Sequence, residues 1–270
     1  MDFKTFGTYY PSGWGKLLRL LIKLGISRGK TKRIFHSLWK KYVGNEPVDI
    51  DYNGLKLRVR PFGNSIESNI LLSSKIREKE ELKIIKSHTK NATLFLDIGA
   101  NFGYYSMFVT RFGARRCISF EPQPLLIKRI EENRIINDFT NKIDIAPFAL
   151  GEFEGEVELH IADSGLGSSG IGKNIKSNTS LVVEQKILEV ALSEFNESKA
   201  DIIKIDVEGY EDKILFPYLS GLENENLPSL IVIEDNSNEW DKNIIEWLKD
   251  TNYKAVGKTR GNVFLVKNSV

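Results

Sequence analysis

The order of apolar runs and amphipathic segments predicts an α/β fold: a mainly parallel sheet with helices on both faces, preceded by a helical arm and a small β-hairpin. Three observations carry this expectation. Beyond residue 91 short apolar runs alternate with helical patterns, a glycine-rich turn follows the first run, and a later run carries polar residues at alternate positions near its exit.

Residues 1–48 form the arm. They hold ten Lys/Arg against Asp2 and Glu46, whereas residues 49–270 hold 28 Lys/Arg against 34 Asp/Glu, so a net charge of +2 hides a basic arm on an acidic body. Trp14, Leu17, Leu18, Leu21 and Leu24 recur at helical spacing, and Arg28–Lys41 carries Ile34, Phe35, Leu38 and Trp39 among six cations. Charge runs of this kind are usually solvated faces, which favours a helical cap packed on the main domain. The alternative is a helix pair lying on an anionic membrane surface. Lys16, Arg19 and Lys23 interrupt the apolar run, which argues against a membrane span and a secretory signal.

Residues 49–90 lead into the core. Val48–Tyr52 and Leu55–Arg60 flank Asn53-Gly54, a dipeptide that favours a tight hairpin turn. Residues 66–88 read as helix. The main domain, 91–270, has apolar runs at Leu94–Ile98, Cys117–Phe120, Ile143–Ala146, Ile202–Val207, Leu230–Ile233 and Val263–Val266. Helical segments fall near 103–112, 122–137, 210–219 and 239–250. Residues 151–190 break the rhythm: strand-like Val157–Ile161 and Val182–Val190 flank the Gly/Ser-rich run Ser164–Gly172. An insertion of that length is more often a functional lid than a spacer.

Composition narrows the classes. With 41% hydrophobic and 27% charged residues the chain is neither disordered nor a multi-span membrane protein. One cysteine, Cys117, excludes an internal disulfide and a multi-cysteine zinc site, and three dispersed histidines show no ligand spacing. A reducing, cytoplasmic setting is the expectation, with the arm as a point of peripheral contact at the inner membrane surface.

The first candidate constellation is Leu94–Tyr104. Gly99 and Gly103 allow a ligand close to the backbone, and the following helix offers free N–H groups. The pattern is neither G-x-G-x-x-G nor a P-loop; it is Asp97-x-Gly99-x-Asn101-x-Gly103. An acid at the strand end suits a ligand with an ammonium group, such as S-adenosylmethionine (SAM). Glu121, which follows Gly103 by 18 residues, can accept two hydrogen bonds from a ribose diol.

The second is Asp201–Glu211. Alternation puts Lys204, Asp206 and Glu208 on one side of a strand that should be buried. Burying such groups costs several kcal/mol unless they pair, so they form an internal ion network or a reaction site. Glu234 and Asp235 end the next strand at the same edge and could join Asp206 and Glu208 in one cleft. Such a cluster can act as general base or hold a divalent cation. The first, without metal, is the expectation.

Together these motifs resemble the FkbM family of SAM-dependent methyltransferases. The matching pieces are Leu96–Ser106, Phe120–Pro124, Ala149–Gly151 and Ile203–Glu211, in order and spacing across about residues 94–240. The resemblance implies a Rossmann-like class I methyltransferase and O-methylation of sugars, glycans or related natural products. It places Asp97, Gly99, Asn101 and Gly103 around the methionine end of SAM, Glu121 on the ribose and Phe148–Ala149 beside adenine. Lys204, Asp206 and Glu208 match the family's Lys-x-Asp-x-Glu-Gly motif, with Glu208 or Asp206 as base and Lys204 holding it. Pro217-Tyr218 stands where a glycine is often found, and residues 1–90 are outside the resemblance. The expected partner is a small-molecule or glycan acceptor. Nucleic acid is excluded at this stage because the body is acidic and the arm lacks an interleaved aromatic platform. The alternatives are a non-catalytic SAM- or nucleotide-binding module and a methyltransferase for lipid or peptide.

Overall fold

The computed structural model describes residues 3–73, 79–90, 92–162, 165–171, 177, 179–259 and 261–268. Two helices open the chain, α1 (Gly13–Lys23) and α2 (Lys30–Tyr42), followed by the hairpin β1 (Val48–Tyr52) and β2 (Leu55–Val59). The hairpin turns on Asn53-Gly54, both with positive φ. Where one helix was expected over 66–88 there are two, α3 (Ser65–Leu72) and α4 (Lys79–Thr89). Ser73 closes α3 in extended conformation, and residues 74–78 lie outside the described part.

The core then alternates β3 (Leu94–Ile98), α5 (Tyr104–Arg111), β4 (Arg116–Phe120), α6 (Pro124–Ile136), β5 (Ile143–Ala146) and a short β6 (Ala149–Leu150). The insertion supplies β7 (Gly155–Ile161) and β8 (Thr179–Lys186), then α7 (Leu188–Glu194). The run read as Val182–Val190 therefore divides into strand and helix. The chain ends with β9 (Ile202–Ile205), α8 (Glu211–Ser220), β10 (Leu230–Glu234), α9 (Ile244–Thr251), β11 (Tyr253–Lys258) and β12 (Asn262–Lys267).

The main sheet has seven strands in the order β11-β12-β10-β9-β3-β4-β5. β10, β9, β3, β4 and β5 are mutually parallel, and β12 is antiparallel to both its neighbours. This is the α/β architecture anticipated from sequence. β11 was not anticipated: Lys254, Ala255 and Val256 are exposed, as an edge strand permits, and its apolar signal is weak. β9 ends at Ile205, two residues earlier than predicted, so Asp206 and Glu208 lie in the turn beyond it.

Each face of the sheet carries its own core. One is built from α7, α8 and α9 against Leu96, Ile98, Ile203, Ile205, Ile231 and Leu265. The other is shared by α4, α5 and α6 and by the N-terminal region, where Leu18, Ile22, Phe35, Trp39, Leu55, Leu57 and Leu71 pack into one continuous cluster with Phe95 and Ile202. Residues 1–90 thus share a core with the sheet. The hairpin is anchored on α6 by polar groups as well. Buried Arg58 binds Asp49 through Nε (2.7 Å) and Glu132 through Nη1 (3.0 Å), and donates to the carbonyls of Lys4 and Thr5. A buried guanidinium satisfied in this way is tolerated because each donor has an acceptor.

Only part of the arm's predicted apolar stripe is buried: Leu18 faces the core and Leu21 packs partly against it, while Trp14, Leu17 and Leu24 are exposed, Trp14 stacking on Tyr42; Ile22, outside that stripe, is fully buried. Among the described residues no helix is long and apolar enough to cross a membrane.

Candidate active site

The site forms where β3, β9 and β4 end. The turn after β3 folds back beneath β4: Gly99 and Ala100 both donate to the Phe120 carbonyl. Gly99 (φ 72°) packs so tightly on the turn after β9 that a Cβ would lie 1.9 Å from the Asp206 carbonyl oxygen. Asn101 is left-handed as well (φ 57°), and its Oδ1 accepts from Phe102 N and from Asn64 Nδ2 (2.6 Å). Gly103, also left-handed, starts α5 and lies over Ile130.

Two cavities meet at this turn. The first is lined by Gly99, Asn101, Phe120, Glu121, Leu126, Phe148, Ala149, Leu159, Asp206, Glu208 and Tyr210, and by Leu166, Gly167, Ser169, Gly170 and Ile171 of the insertion. The second, of about 770 Å³, is lined by Ile66, Asn69, Glu81, Asn101, Tyr105, Gly167, Lys204, Asp206, Glu234, Thr259 and Asn262. Asp206 lies in the walls of both.

Lys204 is the electrostatic centre. Its ammonium is buried, donates to the Gly99 carbonyl (3.0 Å), and stands 3.7 Å from Asp97 Oδ1 and 3.6 Å from Asp206 Oδ2. Burial alone would lower its pKa, but the Asp206 and Asp97 carboxylates hold it above the ordinary lysine value. Glu121 is pushed up to about 7 by burial, although its oxygens accept from Gln123 N (3.0 Å) and Asn101 N (2.8 Å). Burial, with Asp206 next, also lifts Glu208 to about 7. Glu234 is raised to about 9 by burial, with the charge of the neighbouring Asp206 carboxylate next.

Comparison with known proteins now bears on this geometry. Residues 97–255 match the model of the methyltransferase FkbM domain, more than half of the chain. The chain belongs to the FkbM methyltransferase family. Residues 97–255 are therefore a methyltransferase domain of Rossmann-like fold, with SAM as its cofactor. No curated protein matches the chain.

Solved structures similar to this FkbM methyltransferase include an FkbM methyltransferase from Methylobacillus flagellatus KT (15% identity, 66% of this chain, 44% of that one, TM-score 0.45). The chain thus spans less than half of that protein. Two others are the M. jannaschii tRNA m1G37 methyltransferase (12% identity, 90% of this chain, 70% of that one, TM-score 0.48) and a Streptococcus pneumoniae protein provisionally named a tRNA (m1A22) methyltransferase, solved with SAM (14% identity, 71% and 73%, TM-score 0.43). These neighbours overturn one expectation. Proteins named as tRNA or RNA methyltransferases share the fold, so the exclusion of nucleic acid as a partner is withdrawn.

The structure brings most of the predicted site residues together. Gly99, Asn101, Glu121, Phe148, Ala149, Asp206 and Glu208 line the first cavity, and Lys204 lines the second. Asp97 lines neither: it is fully buried, and its Oδ2 accepts from Ser106 N (3.0 Å) and Ser106 Oγ (2.5 Å). Gly103 shapes the turn from behind. Asp235 does not join the cleft; it pairs with Lys258 at 2.6 Å, which lowers its pKa. Glu208 takes a left-handed φ of 56°, uncommon for a residue with a Cβ and a source of local strain.

Several site residues were not legible in the sequence. Buried Glu81 accepts from Tyr105 Oη (2.7 Å) and Asn262 Nδ2 (2.9 Å), joining three distant segments. Asn64 caps α3 through Ile66 N and reaches Asn101. Asn64-Ser-Ile-Glu67 has the spacing of a helix start, a signal that could have marked it. Gly63 accepts from Leu166 N (2.9 Å), so the N-terminal region also holds the insertion in place. Of the Gly/Ser-rich run, Ser164 and Gly172 lie outside the described residues.

The residues of the first cavity fit an adenosyl ligand. A carboxylate faces it, apolar side chains line one end, and glycine leaves space at the turn. Leu166, Gly167, Ser169, Gly170 and Ile171 of the insertion form part of its wall.

Proposed function

We propose that this chain is an O-methyltransferase acting on a hydroxyl of a sugar, glycan or related natural product, with Asp206 as the base. The supporting observation is that Asp206 borders both cavities and stands 3.6 Å from the Lys204 ammonium. In this reading the first cavity holds the donor. Glu121 takes the ribose diol, Phe148 and Ala149 flank adenine, and Asn101 and Gly99 face the methionine end. Asp97 acts indirectly, by fixing Ser106 and Lys204.

SAM supplies an electrophilic methyl group when bound. The protein orients the acceptor oxygen toward it and removes the hydroxyl proton. An alcohol is a weak nucleophile until that proton leaves, so a carboxylate at the boundary between donor and acceptor suits the step. Glu208 borders the donor cavity alone and is the second candidate for base.

The test is transfer of labelled methyl from SAM to a panel of saccharides, comparing the wild type with Asp206→Asn. Label incorporated into a hydroxyl and lost in the variant supports the reading. Label appearing only on peptide, lipid or nucleobase nitrogen would reject it.

A further inference from the structure

A third cavity, of about 730 Å³, lies between α2 and the segment that leads into α3. Lys32, Arg33 and His36 project into it from consecutive turns of α2, and Ser37, Ser65 and Ser68 add hydroxyl donors. Among the described residues no Asp or Glu lines it. Lys32 Nζ donates to Asn69 Oδ1, and the edge of the His36 ring meets Phe62 with centroids 4.7 Å apart, so two of the three basic groups are held in position.

This basic cavity adjoins an acidic one. Asn69 belongs to the walls of both, and among the described residues the second cavity of the active site carries the acids Glu81, Asp206 and Glu234 and the cation Lys204. A ligand spanning the two would meet carboxylates at its hydroxyl end and cations at its other end. Three basic side chains with hydroxyl donors and no acid match an oxyanion such as phosphate, sulfate or carboxylate.

We infer that this cavity binds the anionic group of the acceptor, so that the acceptor is an acidic saccharide, phosphorylated or uronic. Calling the ligand an acceptor rests on the methyl-transfer reading above; binding of the anion does not. The cavity's basic side chains come from one stretch of α2, whereas a polynucleotide would need cations along a longer track.

The experiment is calorimetric titration of the full-length protein, saturated with S-adenosylhomocysteine, using glucose, glucose 6-phosphate, glucuronate and a ten-nucleotide single-stranded RNA. The expected result is binding of glucose 6-phosphate or glucuronate at least tenfold tighter than glucose. The phosphate and carboxylate arms then tell which acid is preferred. Exposed Arg33 tolerates substitution, so Arg33→Glu should weaken that binding at least tenfold and leave S-adenosylhomocysteine affinity unchanged. Three results would overturn the inference: no preference for the acidic sugars, a preference untouched by Arg33→Glu, or binding of the RNA alone. Binding of the acidic sugar without any methyl transfer would leave this site standing and reject the enzymatic reading instead.

Discussion

Lys204 Nζ donates a 3.0 Å hydrogen bond to the carbonyl of Gly99, 105 residues earlier in the chain. That bond joins the turn after β3 to β9, and the same ammonium balances Asp97 and Asp206. Replacing Lys204 with Met would leave Asp97 buried beside no cation. The expected loss is about 3–5 kcal/mol of stability, read as a lower midpoint in urea unfolding. A loss under about 1 kcal/mol would mean that Asp97 is already neutral in the folded protein.

Asp206 and Glu208 separate by kinetics. Asp206→Asn should lower kcat by roughly 10²–10⁴-fold, the usual range for a lost general base, and leave S-adenosylhomocysteine affinity within a few-fold. Glu208→Gln should lower kcat by less than about tenfold. The reverse ranking in single-turnover assays would transfer the base to Glu208.

Glu121 sets the donor's pH dependence. Burial holds its carboxyl at about 7. A ribose diol donates to the ionised form, so ligand affinity should fall as pH drops below about 7. Glu121→Ala should weaken S-adenosylhomocysteine by about 2–3 kcal/mol, or roughly 30–150-fold. Glu121→Gln should bind more weakly than wild type with a flat profile between pH 5.5 and about 8. Calorimetry across that range checks both; an unchanged slope in the Gln variant would be falsifying.

The same shifts predict an unusual stability profile for the donor-free protein. Glu121 and Glu208 titrate near 7 when folded and near 4.5 when unfolded. Between those values the folded state binds more protons, so their contribution is greatest below about 4.5 and is lost as pH rises through about 7. Tm at constant ionic strength should therefore decline over that interval after other titrations are subtracted. Glu208→Gln should make the decline shallower, and a decline of equal steepness would remove Glu208 from it.

Arg58 tests whether the N-terminal region is integral. Arg58→Met would leave buried Asp49 without a cation and Glu132 with Arg60 alone at the hairpin–α6 junction, and a loss of about 3–5 kcal/mol is expected. Unfolding should remain a single transition. Early separate melting of residues 3–60 in hydrogen exchange would show the arm and hairpin to be an independent unit.

Much of this protein is written locally. Strand and helix periods, the Asn53-Gly54 turn and the glycines at 99 and 103 are short-range steric and hydrophobic signals, and they suffice for the α/β class, the hairpin and the donor turn. Lys204, Asp206 and Glu121 stand out for the same reason: charged groups at the ends of apolar strands need an explanation wherever the strands go.

Other features depend on which segments meet. Asp97 has the pattern of a ligand-binding acid, yet it bonds to Ser106 inside the core, because side-chain direction depends on the packing of α5. Asp235 was grouped with Glu234, but adjacent residues of a strand point to opposite faces, and β11 supplies Lys258 on its side. Glu81 and Asn262 have no sequence signature as site residues, and Asn64 has only that of a helix cap, since their partners lie far along the chain. The periodicity of single segments determined what the elements are and where their charged ends fall. Only the assembled sheet decided which of those ends share a cavity, because burial and pairing are properties of the space between elements.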